Sequence, residues 1–277
     1  MSAAGVAGST EVAGSPPGLG RPPLVLLVPA LLGVALLLVP LVAMVAASDP
    51  AAVLAALGTE AVREALWLSV WTATVCMAVC LVLGLPLAWL LARVEFRGRG
   101  LLRAAVTVPL VLPPVVAGLA LRMAFGRSGL LGEPLLGATG FGLPYTPYGV
   151  VLAHVFVSLP FVVLAVEGAL RAGDPRYDAV AATLGATRWT TFRRVTLPLA
   201  GPGVVAGMVL GWSRSLGEFG ATITFNGSFP GRTQTMPTLV YVTRQSDQDA
   251  ALALSLVMLL VSLAVLVGLR DRWLGAP

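Results

Sequence analysis

Residues 171–198 read Arg171-Ala-Gly-Asp-Pro-Arg-Tyr-Asp-Ala-Val-Ala-Ala-Thr-Leu-Gly185, then Ala186-Thr-Arg-Trp-Thr-Thr-Phe-Arg-Arg-Val-Thr-Leu-Pro198. This polar, arginine-rich segment lies between two apolar runs and leads into a glycine-rich apolar stretch carrying Arg214 and Glu218. Asp174 is a good helix N-cap, Pro175 suits the first helical position, and Gly185 is a typical residue just past a helix end. They bracket a ten-residue helix, 175–184, with Tyr177, Val180, Ala181 and Leu184 along one stripe. A second short helix is expected from about Thr187 to Val195, presenting Trp189 and Phe192. It should end before Pro198, which biases Leu197 towards extended geometry. Helices this short need something to pack against. Two surfaces are open to them: the groove of a cytoplasmic partner, or the membrane itself with arginines towards the headgroups.

The surrounding chain decides what kind of protein holds this segment. Hydrophobic residues are 57% of the 277 and charged residues 11%, a balance foreign to a soluble domain of this length. The expected class is an all-α integral membrane protein. Residues 1–23, with only Glu11 and Arg21 charged, cannot bury a core and are expected to be a disordered tail. Leu24 to Ala47 is long enough to cross the hydrocarbon layer. A cleaved leader ending near Ala46-Ala47-Ser48 is the competing reading, but the run is longer than a leader's and lacks positive charge before it. Five further runs follow, about Leu66–Ala92, Leu101–Phe125, Tyr148–Gly168, Gly201–Phe225 and Ala250–Leu269.

Six spans place both termini on one side. Segments 1–23, 93–103, 171–194 and 270–277 carry twelve arginines, whereas 47–65, 122–147 and 226–249 carry five. The positive-inside bias therefore puts the termini and the 171–200 loop in the cytoplasm. All eighteen basic residues are arginine. A phosphate-binding loop needs its lysine, so ATP-driven work would have to come from another subunit. The net charge of +5 is modest and read through topology, not as affinity for nucleic acid.

Within the spans, Val108-Pro-Leu-Val-Leu-Pro-Pro-Val-Val-Ala-Gly118 holds Pro109, Pro113 and Pro114. These remove backbone donors and force kinks, either to line a path or simply to pack. His154 is the lone histidine and, without acidic or thiol neighbours in sequence, is read as packing or interfacial. Cys76 and Cys80 share one helix face and are read as packing. The outer loop 126–147 is rich in glycine and proline and is expected to lack regular structure. In the fifth span Gly203, Gly207, Gly211 and Ser215 recur at four-residue spacing, a row that lets another helix approach closely. Arg214 and Glu218 are four apart and can pair. Counted from Gly201 they lie roughly 20–25 Å in. Charge at that depth faces a bundle interior or a wet cavity, as a packing lock or as part of a path where Arg214 attracts an anion and Glu218 tempers its hold.

The loop and the fifth span together resemble the permease subunit of ABC importers, specifically the molybdate branch. Asp178, Ala181, Ala182, Thr183, Leu184 and Gly185, with Thr196-Leu197-Pro198-Leu199, are similar to the family's cytoplasmic "EAA" signature. The sequence departs from it at Ala179, where the glutamate is expected; Asp178 carries a carboxylate one position earlier. Arg214-Ser-Leu-Gly-Glu-Phe-Gly-Ala-Thr-Ile-Thr-Phe225, with Pro230-Gly231, Thr235 and Pro237, looks almost identical to the molybdate permease pattern. Val108-Pro-Leu-Val-Leu-Pro-Pro-Val-Val is similar to its third span. The resemblance covers about residues 66–270, leaving the first span and the 271–277 cytoplasmic tail outside it.

It implies a six-helix type I importer permease in a prokaryotic cytoplasmic membrane. The implied assembly is a homodimer with two ATP-binding cassette subunits and an extracytoplasmic molybdate-binding protein, with ATP and magnesium held by the partner subunit and none by this chain. Asp174, Tyr177, Asp178, Val180, Ala181, Ala182, Leu184, Gly185 and Pro198 are then assigned to ATPase coupling. Arg214, Ser215, Glu218, Phe219, Gly220, Pro113 and Pro114 are assigned to the translocation path or its gate. A sulfate, thiosulfate or tungstate permease is the rival within the class. An intramembrane enzyme would need a nucleophile elbow, a zinc-binding helix or paired aspartates, and none is present in the sequence. A membrane sensor would need an extramembrane domain, for which no stretch between the spans is long enough.

Overall fold

The structure, a computed structural model, describes residues 24–174 and 176–274. The expectations for the 1–23 tail, for Pro175 and for residues 275–277 lie outside the described residues. The chain divides into two units, the first ending at Ala47 and the second starting at Ser48. Helix α1, Leu24–Ala47, is apolar all round and buries none of its residues within its unit, as a lipid-facing span of about 36 Å does.

Every regular element among the described residues of the second unit is a helix. Its elements are α2 (Pro50–Leu57), α3 (Glu60–Arg93), α4 (Arg99–Val111), α5 (Pro114–Phe125), α6 (Gly132–Thr139) and α7 (Pro147–Ala172), then α8 (Arg176–Thr183), α9 (Arg188–Thr191), a π turn (Phe192–Thr196), α10 (Leu197–Leu216), α11 (Gly220–Asn226), α12 (Met236–Arg244) and α13 (Gln248–Leu274). Helix α7 is the centre. Val155, Val162, Val166 and Leu170 pack with Cys76, Cys80 and Leu91 of α3 and with Ala200 and Val204 of α10 in one buried cluster. Both cysteines are free and buried, with sulfurs 3.9 Å apart, as packing residues on one helix face should be.

The small-residue row does what its spacing predicts. A methyl group added to Gly203 would meet Ala169 of α7, one on Gly207 would sit 2.8 Å from Ala165 Cβ, and one on Gly211 would sit 2.8 Å from Val162 Cγ2. Ser215 continues the row to His154. Helix α10 thus lies antiparallel on α7 at a distance only these residues permit. Gly207→Leu is expected to separate the two helices and to cost several kcal/mol by overpacking. The check is its thermal midpoint in detergent against that of Gly201→Leu, where a side chain meets open space.

Two sequence expectations are corrected and one is sharpened. The prolines of the third span break it outright: α4 and α5 meet at a 117° bend. Leu112 takes an extended conformation, ψ 130°, because Pro113 follows it, and α5 restarts with Pro114 at its first turn. The second short helix does not stop before Pro198. Leu197 is helical, φ −67° and ψ −44°, and donates to Phe192 O five residues back. The wider π turn takes up the geometry that Pro198 would otherwise break, so 188–216 runs on as one span. Loop 126–147 also contains regular structure, since α6 is anchored when Leu130 and Leu131 donate to Met123 O and Ala124 O of α5.

Candidate functional site

The segment between α7 and α10 forms as its caps dictate. Asp174 Oδ1 accepts from Arg176 N at 2.9 Å. At the other end Gly185 has φ +80°, and Ala186 N donates to Ala181 O while Gly185 N donates to Ala182 O, both at 3.0 Å. That pair of bonds is a Schellman ending, which the left-handed glycine makes possible. Tyr177, Val180 and Leu184 stand out from the protein, Leu184 at 82% exposure. Ala181, expected on the same stripe, is buried instead, while Ala182 is exposed. Trp189 is exposed and stacks on Phe192, whose ring turns in against Trp89. Pro198 lies exposed in the first turn of α10. Gly185→Val is expected to destabilise the α8 ending by about 1–2 kcal/mol through left-handed strain. Membrane insertion should be unchanged and transport activity reduced, read by uptake beside protein quantified in the membrane.

Asp178 joins this segment to the spans. Its Oδ2 lies 3.5 Å from Arg93 Nη2 at the end of α3, and its Oδ1 accepts from Thr196 Oγ1 at 2.8 Å in the π turn. A second joint beneath it was not foreseen. Glu167 of α7, 4% exposed, pairs through Oε1 with Arg103 of α4 and with Arg171 Nε, the latter at 2.9 Å. Arg171 Nη2 also donates to Leu91 O at 3.0 Å, and Arg99 Nη2 donates to the same carbonyl at 2.6 Å. Leu91 O is left over where α3 ends, so arginines take the place of the missing helix turn. The sequence signal was an acid inside an apolar run with an arginine four residues later.

The residues expected at the path or gate lie where two spans break together. Helix α10 ends at Leu216 and α11 restarts at Gly220. Between them Glu218, 1% exposed, holds Arg214 Nη1 at 2.6 Å with one oxygen. Its other oxygen accepts from Ala221 N at 2.8 Å, capping α11. A methyl group on Gly220 would collide with Pro114, and one on Gly118 would sit 2.6 Å from Thr224 Cβ. Only these glycines let α5 and α11 lie side by side. Pro113 precedes α5 at the bend, and Phe219 packs on Tyr241 with ring centroids 4.7 Å apart. Ser215 is buried against His154 Nδ1 at 2.9 Å, so His154 packs within the helix bundle. Arg214 reaches into a cavity of about 140 Å³ beside the bend, lined otherwise by apolar residues including Pro109, Leu112, Pro114 and Phe161. It is the sole charge on that wall.

Residues 84–275 match the family of binding-protein-dependent transport system inner membrane components. The chain belongs to that family. It is accordingly a multi-pass membrane component of a transport system, not an enzyme. The match takes in both joints, the α8 segment and the broken spans. A molybdenum transport system permease protein, ModB, of Mycobacterium tuberculosis is 47% identical over 244 residues, covering 88% of this chain and 92% of that protein. A sulfate transport system permease protein, CysT, of Escherichia coli is 40% identical over 200 residues, covering 72% of each. Among solved structures, a bacterial ABC transporter involved in the import of alginate matches with a TM-score of 0.68 at 17% identity, over 90% of this chain and 93% of that one. The fold is that of an ABC importer permease.

Proposed function

We propose that this inner membrane component carries molybdate into the cytoplasm as one half of a homodimeric permease in a prokaryotic cytoplasmic membrane. Two ATPase subunits beneath it would supply the energy, and an extracytoplasmic binding protein would deliver the anion. The observation that carries the proposal is the Arg214–Glu218 pair at the shared break of two spans, its carboxylate buried and Arg214 the one charge lining the cavity beside the bend. A cation there attracts an oxyanion, and a carboxylate bonded to it keeps the site from holding that anion tightly. Coverage of nearly the whole molybdenum permease, against 72% of the sulfate permease, supports molybdate over sulfate.

In this mechanism the exposed Tyr177, Val180 and Leu184 stripe seats in the ATPase subunit. The lack of lysine leaves nucleotide phosphates to that partner, with its magnesium. Closure of the ATPase pair moves α8, and Asp178 passes the motion to α3 through Arg93 and to α10 through Thr196. The half-helices then part at the bend and switch which side reaches Arg214. Uptake by the reconstituted complex, with molybdate, tungstate and sulfate in competition, tests the cargo. Uptake that sulfate blocks and molybdate does not would make it a sulfate permease.

A further inference from the structure

On the side carrying α8, Arg93, Arg99, Arg103 and Arg171 each bond a carboxylate or a main-chain carbonyl. At the other end of α5, Arg122 and Arg127 pair with no carboxylate among the described residues, and the Ser128 hydroxyl has no hydrogen-bond partner there. These three residues, with Tyr145, wall a cavity of about 170 Å³ floored by Phe225 at the end of α11. Tyr145 is the one non-glycine residue among those described with positive φ, at 64°. Its ring is held edge-on against Phe229, with centroids 5.5 Å apart. A tyrosine kept in that conformation marks a position the surroundings over-determine, as binding sites do.

We propose that this cavity is an outer receiving site for a tetrahedral, doubly charged oxyanion. Two guanidinium groups, a serine hydroxyl and a phenol supply donors to four oxygens, and arginine forks suit such an anion. At about 30 Å³ per water, the cavity has room for a small oxyanion. Its place in the fold gives it a role. Helices α5 and α11 run side by side from Pro114 and Gly220, beside Arg214, to Arg122 and Phe225. The eight-residue rise from Pro114 to Arg122 separates the two anion-facing arginine sites by about 12 Å. An anion released outside is captured by Arg122 and Arg127 and passes along this helix pair to Arg214 when the bend opens. The identity of that anion as the cargo rests on the function proposed above; the site's affinity for oxyanions does not.

The test uses the full permease in lipid nanodiscs with Met123→Cys, on the cavity wall but outside the donor set, as reporter, the native Cys76 and Cys80 being buried. A membrane-impermeant thiol reagent labels the new cysteine, and molybdate, tungstate, sulfate or chloride is added at matched ionic strength. Molybdate at ten times its half-protecting concentration should slow labelling about tenfold, the factor expected for simple occupancy, and chloride should not. Arg122→Gln with Arg127→Gln should remove the protection, while the neutral pair Arg214→Met with Glu218→Gln, which leaves no buried charge unpaired, should keep it. Pro144→Cys, on the same wall, serves as a second reporter should the first disturb the site. Protection equal in chloride, or surviving in the Arg122→Gln with Arg127→Gln double variant, overturns the site. No oxyanion protection at all, with delivery by the binding protein lost in the double variant, overturns it too and makes the arginines a docking surface for acidic side chains. Protection by sulfate but not molybdate keeps the site and removes molybdate as cargo.

Discussion

Arg214→Ala is expected to abolish oxyanion uptake and to lower stability by about 3–5 kcal/mol, because it strands a buried carboxylate. Glu218 is 1% exposed and its charge is met by Arg214 at 2.6 Å. The cap on Ala221 N alone does not neutralise it. The stability loss follows from burial whether or not Arg214 touches the anion, so uptake by this variant cannot by itself place it in the path. The neutral pair Arg214→Met with Glu218→Gln separates the two roles. Glutamine can still accept from Ala221 N, and no charge is left unpaired, so the thermal midpoint should return towards wild type. Uptake should stay lost if Arg214 is what draws the anion in. Uptake that returns with stability would make the pair a packing lock and remove it from the path.

Glu167→Ala is the second large effect. It leaves Arg103 and Arg171 facing one another across a site that is 4% exposed on the acid's side. Both arginines left behind are 43% exposed and stay solvated, so the expected loss is that of charge-assisted hydrogen bonds, about 1.5–3 kcal/mol. The functional loss should be larger than this figure suggests. Helices α3, α4 and α7 meet at this joint, just beneath the Asp178 linkage, and motion received at α8 would no longer reach α4. ATP hydrolysis by the assembled transporter should continue while uptake falls at least tenfold. Uptake that keeps pace with hydrolysis would show that the joint only holds the fold together. Glu167→Gln, which keeps hydrogen-bonding capacity but not charge, should fall between.

What could be read from the sequence was whatever local chemistry decides. The end of α8 was legible because Gly185 can take a left-handed conformation at little cost, and the structure gives it φ +80°. The Gly203–Gly207–Gly211 row was legible because its spacing places every member on one helix face. The Arg214–Glu218 pair was legible for the same reason. What was missed depends on partners far away in the chain. Pro198 obeys its local rule in isolation, yet the π turn before it absorbs the strain and keeps the span continuous. Pro113 and Pro114 announced a break but not its size, since the 117° bend is stabilised by α11 packing on α5 through Gly118 and Gly220. Glu167 carried a visible hint in Arg171, but Arg103 reaches it from 64 positions away. Helix α6 was hidden because glycine-rich composition signals turns, while the bonds that hold this helix come from α5.

The two arginines on Leu91 O have a consequence for how this joint can change over generations. A salt bridge can be lost by altering either partner, but a bond to a main-chain oxygen survives every replacement at position 91 that keeps α3 ending where it does. Arg99 and Arg171 each reach that oxygen independently, so losing one leaves the carbonyl satisfied by the other. Drift can therefore remove one of the two arginines, or exchange the buried Leu91 for another core residue, without leaving that carbonyl bare. The vulnerable points are the ones with no understudy: the length of α3 and the single carboxylate of Glu167.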